Sequence, residues 1–130
     1  MTLRILIHDV GHGQAVHVFT PDGKVIVIDL GCKANFSPLA WLRKGRSIID
    51  YLIITHPHGD HIDEFLMLDE LEFGIKQIWC PTWLDEEAVY SQNQATYNEK
   101  LDAYFKKLSA YGFPVPAGAE VSSPENNGGA

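Results

Sequence analysis

Thr55-His56-Pro57-His58-Gly59-Asp60-His61 gathers three imidazoles and one carboxylate into a single short run. The residues before it, 48–55, are apolar and β-branched and predict a strand buried on both faces. The residues after it, 61–71, place Ile62, Phe65, Leu66 and Asp69 at helical spacing and predict a helix. The run therefore lies where a strand hands over to a helix. Pro57 biases His56 to an extended backbone, so the imidazoles of His56 and His58 project to the same side. Gly59 permits a sharp change of direction, which sets Asp60 and His61 apart as a second pair. Neutral imidazole suits zinc, and a carboxylate also suits manganese or iron. Two divalent metal ions, zinc favoured, are the expected cofactors, with His56, His58, Asp60 and His61 as ligands. The plain alternative is a helix-capping loop in which Asp60 is the cap, and it leaves the histidines unexplained.

Working outward, residues 3–9, 15–19 and 25–30 read as strands. Thr20-Pro21-Asp22-Gly23 joins the last two through a tight turn, since proline presets φ and glycine tolerates positive φ. Residues 37–45 predict a short helix with Ser37 as cap, Pro38 at its first position and basic residues in its last turn. A strand is expected over 75–80. From Asp85 the pattern is helical again, and Tyr97, Leu101, Tyr104, Phe105, Leu108 and Tyr111 form one apolar stripe that belongs to the core. An α/β fold follows, with a mixed β-sheet and flanking helices. Residues 1–113 are read as the folded unit and 114–130, rich in turn formers, as a mobile tail.

A chain of 130 residues suits one core. Its net charge of −7 opposes nonspecific attraction to phosphate backbones or anionic membranes. No apolar stretch approaches the roughly 20 residues of a membrane span, so no membrane partner and a cytoplasmic location are the expectation. Arg43, Lys44 and Arg46 form a small basic cluster that reads as a solvated helix end rather than a nucleic-acid track. Cys32 and Cys80 lack metal-type spacing and read as reduced, partly buried thiols. His8 and His17 lie in strands and read as packing or surface histidines.

The pattern HxHxDH, present here as His56-Pro57-His58-Gly59-Asp60-His61, resembles the signature of the metallo-β-lactamase superfamily. Asp9-Val10-Gly11-His12-Gly13-Gln14-Ala15, Pro21-Asp22-Gly23 and Ile28-Asp29-Leu30-Gly31 are similar to the hydrolase domain of ComEC-like DNA-uptake competence proteins. That branch usually has Gln where His12 stands and Asp where Gln14 stands. After the motif the family often continues with small, glycine-rich residues, whereas this chain has Ile62-Asp63-Glu64.

The resemblance implies one half of an αββα sandwich, with the remaining metal ligands on a second half that this chain lacks. It implies metal-assisted hydrolysis, in which Asp60 ligates a metal and helps orient the nucleophile. It also implies that Asp29 holds a ligand imidazole from behind; the alternative for Asp29 is a turn or cap carboxylate. His12, between two glycines, is read as a substrate-loop residue or else as an exposed loop side chain. The substrate expected is a phosphodiester, as in a phosphodiesterase or nuclease; the alternative is a small-molecule ester, thioester, lactone or lactam. A third reading is a noncatalytic fragment whose partner is the missing C-terminal half or a second copy, because catalytic zinc generally uses three protein ligands.

Overall fold

The computed structural model describes residues 2–81 and 85–111, with the side chain of Tyr111 outside that description. The expected tail over 114–130 and the boundary at 113 lie outside the described residues. Five strands form one sheet in the order β1 (Arg4–Ile7), β2 (Val16–Phe19), β3 (Val25–Ile28), β4 (Ile48–Ile53) and β5 (Gly74–Trp79). The first three run antiparallel to one another, while β3, β4 and β5 are parallel. The mixed sheet anticipated from the opening hairpins is therefore the one formed. Gly23, at φ 88°, closes the β2–β3 turn, where its N–H donates to the Thr20 carbonyl and the Thr20 hydroxyl accepts from the Lys24 N–H.

Strand alternation sorts the sheet into two unlike faces. Val25 and Val27 of β3 register with Phe19 and His17 of β2, and Leu52 of β4 registers with Val27 and with Ile78 of β5. All of these are buried under the helices, together with Leu39, Leu42, Phe65, Leu68, Leu101 and Tyr104. On the other face the register aligns Ile5 and Ile7 with Val18 and Val16, then with Ile26 and Ile28, then with Tyr51 and Ile53. Ile5 is 57% exposed and Ile7 80%, and the others are only half-buried. The β4 strand is thus not covered on both sides as its apolar composition suggested; Tyr51 and Ile53 face the open side.

Helix α1 (Pro38–Arg43) begins as its sequence dictates, with Ser37 Oγ accepting from the Ala40 N–H and proline in its first turn. Glu64 reinforces that end: it accepts from the Leu39 N–H and from the Ser37 hydroxyl. Burial pushes the Glu64 carboxyl up from its ordinary value, while these donors pull it back.

The continuous helix expected over residues 61–71 does not form. A 3₁₀ turn spans Gly59–His61, and α2 is only Met67–Glu70. The backbone between them is diverted to Leu30, whose N–H donates to the His61 carbonyl at 2.7 Å and whose carbonyl accepts from the Glu64 N–H at 2.9 Å. Peptides spent on a neighbouring strand end cannot bond four residues along, and the segment proceeds by three-residue turns, Phe65 to Ile62 and Met67 to Glu64. Such turns bury Ile62 and Phe65 as a helix would. Beyond β5, α3 (Glu86–Gln92) starts at Asp85 and stops at Asn93, and α4 (Asn98–Tyr111) follows a second 3₁₀ turn. Leu101 and Tyr104 occupy the core, with Phe105 and Leu108 partly buried against it. Lys100 to Asp63 at 2.9 Å and Lys107 to Asp69 at 2.7 Å fasten α4 to the segment that follows the motif. Among the described residues no helix is long and apolar enough to cross a membrane.

Candidate metal centre

The motif leaves the sheet at the end of β4, beside the end of β3, and Asp29 is the residue on which it turns. Asp29 is fully buried and adopts φ 60°, a conformation that aspartate tolerates better than most side chains. Its N–H donates to the Ile53 carbonyl, which fixes it against β4. One carboxylate oxygen accepts from the Thr55 N–H at 2.8 Å. The other accepts from the Thr55 hydroxyl at 2.5 Å and from His61 Nδ1 at 2.8 Å.

Counting donors fixes the histidine tautomers. The Asp29 oxygens act as acceptors in this network, so His61 donates from Nδ1 and presents a bare Nε2. The single hydroxyl proton of Thr55 is committed to Asp29. The Thr55 oxygen therefore accepts from His56 Nδ1, 3.1 Å away, and His56 also presents a bare Nε2. One buried carboxylate thus sets the tautomer of two imidazoles, directly for His61 and through Thr55 for His56. Burial, and after it the neighbouring His61 and His58, lower the His56 pKa below the ordinary histidine value. That favours the neutral ring a metal requires.

The rings of His56 and His58 have centroids 4.4 Å apart, those of His56 and His61 3.9 Å, and those of His58 and His61 6.4 Å. His61 Nε2 stands 3.6 Å from Asp60 Oδ1. That is too long for a hydrogen bond, and close to the roughly 3.4 Å between two ligands on a tetrahedral zinc. The donor chemistry and the Asp60–His61 spacing suit a divalent ion, and the closest imidazoles are those of His56 and His61. As the side chains stand, no group of three His, Cys, Asp or Glu residues among those described converges on a single ion.

The turn is pressed into shape from three sides. A Cβ on Gly13 would strike the Asp60 carbonyl oxygen, and one on Gly31 would stand 2.8 Å from that same atom. The loop containing His12 therefore lies directly against the Asp60 backbone, while the His12 side chain is exposed to solvent. From the other side a Cβ on Gly59 would enter the Tyr97 ring. Asn93 completes the clamp: its Oδ1 accepts from the Gly59 N–H at 2.9 Å, and its Nδ2 donates to the carbonyls of Pro57 at 3.0 Å and Val89 at 2.9 Å. Sequence reasoning missed Thr55 as a relay, and Asn93 and Tyr97 as supports. Thr55 adjoins the motif and was open to a search for hydroxyls beside the histidines. Asn93 and Tyr97 carry no local signal, because their contacts span more than thirty residues.

Replacing Asn93 by alanine strips Gly59 and Pro57 of their partners. The expected loss is about 1–3 kcal/mol in denaturant unfolding, together with faster hydrogen exchange at the Gly59 amide. Unchanged exchange at Gly59 would show that the clamp does not hold the turn.

A mixed sheet flanked by helices, with a histidine-rich turn at the ends of two parallel strands, defines the class as an α/β protein built around a candidate metal centre. The profile of the metallo-beta-lactamase superfamily matches residues 9–116, and the chain belongs to that superfamily. Over 60 residues, 45% of this chain, it is 42% identical to a "UPF0173 metal-dependent hydrolase" of Roseiflexus sp. (strain RS-1). It matches a protein of the same description from Roseiflexus castenholzii to the same extent. The matched stretch covers 24% of each of these relatives. No solved structure matches significantly.

Proposed function

We propose that the chain carries the metal-holding turn of a phosphodiester hydrolase, with His56 and His58 as one ligand pair and Asp60 and His61 as the other. The observation that carries this reading is the Asp29 network, which leaves Nε2 of both His56 and His61 bare and next to further donors. A buried carboxylate dedicated to orienting imidazoles is the device by which metal sites fix their ligands. Divalent ions bound there would supply a water that ionises near neutral pH and a Lewis acid for the substrate oxygen. The protein's own part is to hold the imidazoles neutral and aimed, and to keep Asp60 beside them. The resemblance of residues 9–15, 21–23 and 28–31 to the competence-type branch favours a phosphodiester over a lactone or thioester.

The proposed pairing of ligands carries a second consequence. With two protein ligands to each ion, against the three usual in catalytic zinc sites, turnover depends on ligands from outside the described residues. The exposed and half-buried apolar face of the sheet, with Ile5, Ile7, Val16, Val18, Ile26 and Ile28, offers a packing surface to a segment bringing them.

The test is to load the chain with zinc or manganese and offer it bis(p-nitrophenyl) phosphate and a simple lactone, alone and with the remainder of a full-length relative added. Metal binding at the motif, lost in His56→Ala/His58→Ala, and phosphodiester cleavage once the further ligands are present are the expected results. Preferential lactone cleavage would move the assignment to the carboxylic ester branch. Metal binding unaffected by the double substitution would remove the site altogether.

A further inference from the structure

We infer that this chain has a second ligand site, for a nucleoside phosphate, at the end of the sheet remote from the metal centre. A cavity of about 370 Å³ lies beside the edge strand β1 and the end of α1, lined by Arg4, Phe19, Trp41, Leu42, Lys44, Gly45 and Arg46. Arg46 stands just before β4 and Thr55 just beyond its end, so this cavity and the motif are separated by roughly 20 Å of strand.

The distribution of charge singles the cavity out. In a chain of net charge −7, cations are outnumbered and most are claimed. Lys24, Lys33, Lys76, Lys100 and Lys107 each pair with an aspartate, and Arg43 donates to the Leu71 carbonyl. Among the described residues Arg4, Lys44, Arg46 and Lys106 have neither a carboxylate nor such a carbonyl partner, and three of these four line this one cavity. Lys44 and Arg46 alone would be accounted for by the negative end of α1. Arg4 comes from β1, where its register opposite Phe19 brings a third cation to the same place. Its guanidinium lies 5.4 Å from the centre of the Phe19 ring, and that of Arg46 lies 5.8 Å from the same ring. Two guanidinium groups over one ring, with a lysine at the rim, concentrate positive charge in one place that an anion would offset.

The anion's chemistry follows from the lining. Guanidinium forks match phosphate oxygens in pairs. Trp41, stacked against His17 and edge-on to Phe19, is still 38% exposed beside the cations. A phosphate on Arg4, Arg46 and Lys44 with an aromatic base against Trp41 uses every feature. The volume is in the range of small-molecule sites, which begin at about 300 Å³. A nucleic-acid strand would need a basic track on either side, and the acidic balance of the chain does not supply one.

The site is independent of the metal reading, so it is tested with EDTA present. Calorimetric titration of the intact chain with ADP is expected to show one site of sub-millimolar affinity, with inorganic phosphate and adenosine each binding at least tenfold more weakly. Arg4→Gln/Arg46→Gln should weaken ADP at least tenfold, and Trp41→Ala should weaken ADP while leaving phosphate unchanged. His56→Ala/His58→Ala should bind ADP as the parent does. Circular dichroism melts of each variant verify that these surface changes leave the fold intact. Absence of ADP binding, equal binding by the double arginine variant, loss of binding in the histidine variant, or tighter binding of a short single-stranded oligonucleotide than of ADP would each overturn the proposal.

Discussion

Asp29→Ala is expected to destabilise the fold by about 1–3 kcal/mol and to abolish measurable metal binding at the motif. The alanine leaves the Thr55 N–H, the Thr55 hydroxyl and the His61 ring without their common buried acceptor, and water reaches the exposed Thr55 more readily than the half-buried His61 ring. It also places a β-carbon without local hydrogen bonds at φ 60°. Asp29→Asn separates the two losses. Asparagine tolerates the positive φ and can still accept from the Thr55 N–H, so most of the stability should remain. Its amide nitrogen is a donor where His61 Nδ1 requires an acceptor, and the ring is expected to turn or to change tautomer. The consequence is metal affinity lower by about 10–100-fold, read by competition with a chromophoric chelator. ¹⁵N chemical shifts of the imidazoles report the tautomers directly: Nδ1-protonated His56 and His61 in the parent, and a mixed population in Asp29→Asn. If the asparagine variant kept both its ring tautomers and its metal affinity, Asp29 would be a structural turn carboxylate and nothing more.

The residues of the candidate site stand out in the sequence because their pattern is local. Three histidines and an aspartate between 56 and 61 need no partner elsewhere to be noticed, and the β-branched run before them announces the strand that delivers them. The hairpins were legible for the same reason, since Pro21, Asp22 and Gly23 encode the turn in their own backbone preferences. What failed was the helix over 61–71. Its apolar spacing is satisfied equally by consecutive three-residue turns, and the choice between them is made by Leu30, more than thirty residues earlier. Burial of β4 was overread because apolar composition reports what a strand tolerates, whereas the covering of Tyr51 and Ile53 depends on another layer. Asn93 and Tyr97 were invisible for the reason Leu30 was: an amide side chain following a helix looks like a cap until the loop it clamps is brought beside it.

Acid sensitivity is expected from a pair of histidines distant from the motif. His17 is buried, stacked over Trp41 with centroids 6.0 Å apart, and its Nδ1 lies 3.0 Å from His8 Nε2. Its Nε2 finds no hydrogen-bond partner among the described residues. The less costly tautomer has His17 Nδ1–H donating to His8, which leaves Nε2 as a bare lone pair rather than an unsatisfied donor. Burial, and secondarily the neighbouring His8, lower the His17 pKa to about 3. The unfolded chain protonates this group near 6.5, so between that pH and about 3 the unfolded state binds more protons. The contribution of His17 is therefore fully present above pH 6.5 and drains away as the pH falls through that window. At pH 5 the loss is about 2 kcal/mol, enough to lower Tm by roughly 5–10 °C relative to pH 7.5. His8, also shifted down by burial, acts in the same direction. His17→Phe retains the ring packing against Trp41 and removes the proton site, so its Tm should fall much less over the same interval. Parallel curves for the parent and His17→Phe between pH 7.5 and 5 would mean that His17 protonates freely in the folded state, and the burial of its ring would then have to be abandoned.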